Sequence, residues 1–291
     1  MNLPLCLWLW SRAVINGDHL EVMVHEPFLV FGEGSWRQNL AAVVHRLMAI
    51  LQMSAAQRVW VSIPAWERCL HPYALGRRVS IRWLPIPSNV PVTASPHDVV
   101  AVRAKVAPNG EWVIGHFGTY GRHIAAMLGR ITPVLFDAEP RAVLLLLGSG
   151  AVLWRDRLLL RYPNLSKRIC ATGPLDREAL SSHIAACDLL VQPYPDGIST
   201  RRGTAMAGLS HGKTIVTNAG HLTEAFWAES GVVSLTPLGN VQAMAQAASW
   251  LLNHPEDRAV IGNAAAALYA RRFETAHTIA ALRNAAAQDA G

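Results

Sequence analysis

The chain has 291 residues, enough for two domains of ordinary size that each bury a core. Apolar residues make up 51% and charged residues only 16%, which excludes long disorder and suits strands covered on both faces. The net charge of +6 comes almost wholly from arginine and no basic run exceeds two residues, so a nucleic-acid surface is not indicated. Anionic small molecules or an acidic membrane surface account for such a charge equally well.

Residues 1–10 (MNLPLCLWLW) are apolar from the start, lack the basic region of a signal peptide, and are far short of the roughly 20 residues of a membrane span. With no cap visible they read as the tail of a helix. Strands follow at 19–24, 58–63 and 79–84, with helical spacing over 35–51 and a short helix near 66–70. Three strands alternating with helices predict a small parallel sheet. Such a sheet leaves an unpaired edge and an exposed apolar face. Three prolines between Pro85 and Pro91 then stiffen an exposed connection, which puts a domain boundary at residue 88.

A fuller pattern occupies 89–275. Strands are expected at 111–117, 142–147, 168–171, 188–192, 214–217 and 232–235. Amphipathic stretches lie between them at 124–135, 154–162, 176–186, 199–211 and 222–230. Val143 to Leu147 is a continuous apolar run, as a strand buried on both faces requires. Asp176 is placed to cap one helix and Gly212 to end another. Helical pattern fills 240–253 and 255–272, and a last helix covers 276–291.

The four cysteines (Cys6, Cys69, Cys170, Cys187) are scattered and form no C-x-x-C pair, as expected of reduced thiols in a cytoplasmic protein. His183 and Cys187 stand one helical turn apart without a second ligand pair, so no metal site is expected.

In an open parallel sheet, ligands bind beyond the carboxyl ends of the strands, and three loops there carry chemistry. The first, GHFGTYGR (115–122), offers glycines for close approach to a phosphate, a helix start, and the Arg122 cation. It lacks the GxxxxGK[ST] pattern of a P-loop. The second, Gly148-Ser149-Gly150, opens like a dinucleotide fingerprint, but Leu153 replaces the third glycine and a tight turn explains it better. The third, PYPDGISTRRGT (193–204), places an acid, two arginines and hydroxyls at a helix start, where sugar hydroxyls and a diphosphate can both be held.

The run PYPDGISTRRGTAMAGLSHGKTIVTNAG followed by Thr223-Glu224 resembles the C-terminal domain of GT-B glycosyltransferases of the family 4 type. GHFGTYGR, LLLLGSG and TGPLDREALSSHIAACDLLVQPY support this, as do His25-Glu26-Pro27-Phe28 and LPIPSNVP upstream. The resemblance implies an α/β chain with two Rossmann-like domains and parallel sheets, the N-terminal one (1–88) incomplete on the acceptor side. The other, 89–275, binds the nucleotide sugar.

It further implies retaining transfer from a nucleotide-diphosphate sugar, with no metal and no cofactor. Asp196 matches the first acid of the family's E-x7-E motif, and Thr204 stands where the second glutamate normally grips the ribose. Gly118, Thr119 and Arg122 of the first loop, and Gly197, Ile198, Ser199, Thr200 and Arg201 of the third, fall at donor-binding positions. His25 falls at the cleft mouth and, with Asp196, takes a catalytic position. Glycans or lipid-linked molecules are the acceptors the resemblance implies. The tryptophan-rich, basic N-terminal region is compatible with peripheral association at the inner face of a membrane. The Thr204 departure and the short N-terminal domain keep a second reading open, a non-catalytic nucleotide- or partner-binding module. Asp137-Ala138-Glu139, the nearest approach to a metal-binding DxD, reads as a solvated helix end.

Overall fold

The structure is a computed structural model and describes residues 2–32 and 34–289. The chain divides into two compact units, Met1–Ile86 and Pro87–Gly291.

The first unit runs α1 (Leu3–Ile15), β1 (Glu21–Val24), α2 (Trp36–Ala55), β2 (Arg58–Val61), α3 (Ala65–Leu70) and β3 (Ser80–Trp83). The strands form a three-stranded parallel sheet in the order β1-β2-β3. α1 is not an uncapped tail: the Asn2 side chain accepts a hydrogen bond from the Leu5 N–H at 3.1 Å and satisfies one free donor of the first turn. Val59 and Val61 of β2 are fully buried against Ala49 and Met53 of α2. The outer stripe of α2 is apolar at helical spacing: Trp36, Leu40, Val43 and Leu47 are 71%, 56%, 44% and 47% exposed. No helix among the described residues is long and apolar enough to cross a membrane.

The second unit begins with a helix that the sequence reading missed, α4 (Pro96–Val106), capped by Ser95. It buries none of its residues, so its pattern carries no amphipathic signal. There follow β4 (Trp112–Phe117), α5 (Arg122–Ala138), β5 (Ala142–Leu147), α6 (Ala151–Arg161), β6 (Ile169–Ala171), α7 (Arg177–Ala186), β7 (Leu189–Gln192), α8 (Gly203–Ser210), β8 (Ile215–Asn218), α9 (Phe226–Ser230), β9 (Ser234–Thr236), α10 (Val241–Asn253), α11 (Pro255–Arg272) and α12 (Thr275–Asp289). Asp176 caps α7 by accepting from the Ala179 N–H at 2.7 Å, and Gly212 follows α8 at φ +62.

All six strands of this unit are parallel, in the order β6-β5-β4-β7-β8-β9. Successive residues of β5 feed opposite cores. Leu144 and Leu146 pack with α5 and α10, whereas Val143, Leu145 and Leu147 pack with α8 and α11. That explains why β5 reads as one unbroken apolar run. The chain leaves β4 toward β5 on one side and returns to β7 on the other, so the order reverses between β4 and β7.

Two further expectations are corrected. The helix expected over 199–211 begins only at Gly203, because Thr200 is held by Glu224, whose carboxylate accepts from both the Thr200 N–H (3.0 Å) and its hydroxyl (2.5 Å). Glu139 is not solvated: it is 7% exposed and accepts from Asn253 Nδ2 at 3.0 Å, joining α5 to α10.

Gly115 makes the central strand pair possible. A Cβ there would lie 2.5 Å from Cys187 Sγ and 2.6 Å from Leu190 Cδ2. Gly115→Ala is therefore expected to cost about 1–3 kcal/mol by overpacking. Gly129, inside α5 with open space around its Cα, behaves oppositely, and Gly129→Ala gains about 1 kcal/mol of helix propensity. Urea midpoints moving in opposite directions for the two variants check this; equal shifts would contradict the packing argument.

Candidate functional site

An open cleft of about 340 Å³ lies at the carboxyl ends of β4 and β7, where the strand order reverses. One side is the loop after β4, with Gly118 and Thr119; the other is the start of α8, with Arg201, Arg202, Gly203 and Thr204. His116, Gln192 and Tyr194 also line it. This is the crevice in which open α/β sheets bind ligands, and its volume falls in the range of small-molecule sites.

Backbone geometry brings the two loops together. Gly148 sits at φ +122, and a Cβ on it would lie 2.1 Å from the Gly118 carbonyl oxygen. The Gly148-Ser149-Gly150 segment is thus a tight turn packed under the Gly118 loop. Gly197 adopts φ +88, and its Cβ position is occupied by the Gly220 backbone at 2.3 Å. Asn218 fixes the other end of the acidic loop, accepting from the Tyr194 N–H at 2.9 Å and donating to the Tyr194 carbonyl at 2.8 Å. The Ile198 N–H donates to the Asn218 carbonyl at 3.0 Å, and Ile198 itself is fully buried.

Asp196 bridges two cations, its carboxylate accepting from the guanidinium groups of both Arg201 and Arg202. Arg201 is 6% exposed, so its charge sits in a largely desolvated wall. Arg202 lies over the Tyr194 ring at 4.7 Å from its centroid. The Tyr194 hydroxyl is 2.8 Å from Thr204 Oγ1, and burial pushes its pKa up to about 12, so it remains a neutral phenol. Thr204, in place of a carboxylate, therefore belongs to a hydroxyl pair at the cleft.

The floor is neutral. His116 is buried in β4 with Nδ1 2.9 Å from the Val191 carbonyl, and burial pushes its pKa down to about 4. Its Nδ1 therefore carries the proton and donates, which leaves Nε2 an acceptor. Gln192 donates from Nε2 to the Phe117 carbonyl at 3.2 Å. Neither His116 Nε2 nor Gln192 Oε1 has a hydrogen-bond partner among the described residues.

Of the residues expected from sequence, Gly118, Thr119, Arg201 and Thr204 line the cleft together. Gly197, Ile198, Ser199 and Thr200 form the buried support behind them. Arg201 and Arg202 line the cleft, and the Asp196 carboxylate is paired with both of them. Arg122 is exposed at the first turn of α5. His25 lies in the other unit, after β1, where its carbonyl accepts from Ser62 Oγ and Trp66 Nε1, both at 2.9 Å. Sequence reasoning missed His116, Gln192 and Tyr194, and noted Arg202 only as one of the two arginines of the third loop. A histidine and a glutamine within or ending strands otherwise apolar were the available signal. His183 and Cys187 are tied to their own helix, His183 Nδ1 lying 2.7 Å from the Ala179 carbonyl and Cys187 Sγ donating to the His183 carbonyl at 3.2 Å.

No protein-family model and no curated protein matches the sequence. Solved structures do match in fold. HepE of Anabaena, determined in complex with UDP-glucose, aligns at TM-score 0.70 and 21% identity over 98% of this chain and 77% of that one. Sucrose-phosphate synthase from Thermosynechococcus elongatus aligns at TM-score 0.73 and 20% identity, over 97% and 71%. WaaG, a glycosyltransferase of lipopolysaccharide biosynthesis, aligns at TM-score 0.62 and 13% identity, over 91% and 77%. These are GT-B structures, and the chain has their α/β fold with parallel sheets in two sets.

The buried His116 ties stability to pH. Its folded-state pKa of about 4 lies below the ordinary 6.5, so as pH falls the unfolded chain takes up the proton first. Its contribution is whole above about 6.5, declines as pH falls toward 4, and is constant below. His116→Asn keeps a donor but cannot be protonated. The urea-midpoint difference between wild type and variant should shrink or reverse as pH falls from 7 to 4.5; a constant difference would refute the assignment.

Proposed function

We propose that this chain is a glycosyltransferase that takes a sugar from a nucleotide-diphosphate sugar bound in the second unit. The observation that carries the reading is the cleft itself. At the point of strand reversal, two arginines and the N-terminus of α8 face a glycine-lined loop, an arrangement suited to a diphosphate. The likeness in fold to proteins solved with UDP-glucose and UDP supports a UDP-linked donor.

In this reading Gly118 and Thr119 let the backbone approach the phosphates, and Arg201, Arg202 and the Gly203 and Thr204 N–H groups face the leaving diphosphate. Negative charge grows there as the bond to the sugar breaks. Preorganised donors in a partly desolvated wall stabilise that charge by several kcal/mol, at about 3–4 kcal/mol for one well-placed donor. The reaction is retaining and needs no metal ion. The acceptor is a glycan or lipid-linked molecule, His25 of the first unit takes a catalytic role, and the enzyme works in the cytoplasm at the inner face of the membrane.

One observation favours a second reading, binding without transfer. Thr204 is engaged by Tyr194 where the family has a ribose-gripping acid, so the nucleoside is held by fewer charged contacts.

Thermal stabilisation by UDP, GDP and ADP tests the proposal. At about 100-fold over its dissociation constant, the preferred nucleotide adds about 2.7 kcal/mol, and Arg201→Ala removes the shift. Release of UDP from UDP-glucose in the presence of acceptor separates transfer from mere binding. No shift with any nucleotide, in folded protein, refutes the donor site.

A further inference from the structure

Asp196, Arg201 and Arg202 form a triad in which two cations share one carboxylate. The carboxylate is anchored through its backbone. The Asp196 carbonyl accepts from the Leu222 N–H at 3.1 Å, and Gly220 packs so closely that a Cβ there would lie 2.4 Å from the Asp196 carbonyl carbon. Arg202 is confined by its stacking on Tyr194, which the Thr204 hydroxyl holds in turn. A guanidinium has five N–H groups, and that of Arg202 keeps Nε buried with no partner among the described residues. The triad thus has a net charge of +1, held in place at the cleft wall.

We infer that Asp196 is a built-in counter-anion that positions Arg201 and Arg202 and weakens their grip on a diphosphate, rather than a group that touches the sugar. This deepens the donor-site reading above and rests on it. The physical reason is simple. Two guanidinium groups in a desolvated wall require an anion, and before the donor arrives Asp196 supplies it. When a diphosphate enters, the carboxylate remains as a like charge several ångströms away. At an effective dielectric of about 20, that repulsion lowers affinity by about tenfold or more. A nucleoside diphosphate held less tightly leaves sooner after transfer.

The test compares wild type with Asp196→Asn in the full chain, titrated calorimetrically at fixed ionic strength with UDP, UDP-glucose and inorganic pyrophosphate. Asp196→Asn should bind all three about tenfold more tightly, while its ligand-free melting temperature falls. A mere loss of structure does not tighten binding. If the asparagine variant fails to fold, Asp196→Ser, which removes the charge and keeps an oxygen acceptor, carries the same comparison. Unchanged UDP affinity with weakened UDP-glucose overturns the inference, because Asp196 then contacts the sugar. Equal or weaker binding of all three also overturns it. If UDP binds neither protein but pyrophosphate binds the variant more tightly, the donor reading fails and the counter-anion stands. If pyrophosphate binds neither, the counter-anion falls.

Discussion

The pairing of β4 with β7 governs the second unit. Ile114 lies opposite Leu189 and Gly115 opposite Leu190, although more than seventy residues of chain separate them. That pairing is where the strand order reverses, and only there do the loops leaving two neighbouring strands diverge to opposite faces. The crevice between them is a topological consequence rather than a feature added to the sheet. Gly115 permits the close contact with Cys187 and Leu190, so a single missing methyl group at the centre of the sheet sets the position of the cleft floor.

From that floor outward the site is built in shells of different polarity. The two cores below it contain aliphatic and aromatic residues. His116 and Gln192 come next, buried and neutral, with their donors spent on main-chain carbonyls. Charge enters only at the wall, with Arg201, Arg202 and Asp196, where the cleft opens to water. The gradient follows from the cost of desolvation: a neutral imidazole is tolerated inside a sheet, whereas a guanidinium is tolerated only with an anion beside it. The low pKa of His116 and the ion pairs of Asp196 express the same constraint at two depths.

Much of this was legible in the sequence because the sheet is buried on both faces. Unbroken apolar runs such as Val143 to Leu147 mark parallel strands, and turn residues mark the loops at their ends. The sequence was less informative wherever tertiary contacts override local pattern. Ser199 and Thr200 read as a helix start, but Glu224, twenty-four residues downstream from Thr200, captures the Thr200 hydroxyl and delays the helix to Gly203. α4 was invisible because it buries no residue. Tyr194 and Arg202 lay inside a recognised motif, yet their stacking and its link to Thr204 depend on how the loop folds back. The pairing of Asp196 with both arginines was out of reach for the same reason: spacing alone does not tell whether an acid faces a ligand or its own neighbours.

The two units differ in how completely they bury what their sequences supply. In the second, six strands are covered on both sides, and the residues of β5, β7 and β8 are buried without exception. In the first, three strands give α2 too little surface to cover. Its stripe from Trp36 to Leu47 lies at the spacing of a packing face, while its inner residues Ala42, Ala49 and Met53 are buried. A helix apolar on both sides is the pattern of one enclosed by structure on both sides, and here one side meets water. The hydrophobic driving force per residue is therefore smaller in the first unit, while the entropy cost of ordering each residue is about the same in both. Stability should accordingly be concentrated in the second unit, which carries the cleft, so its geometry does not depend on how firmly the smaller sheet is held.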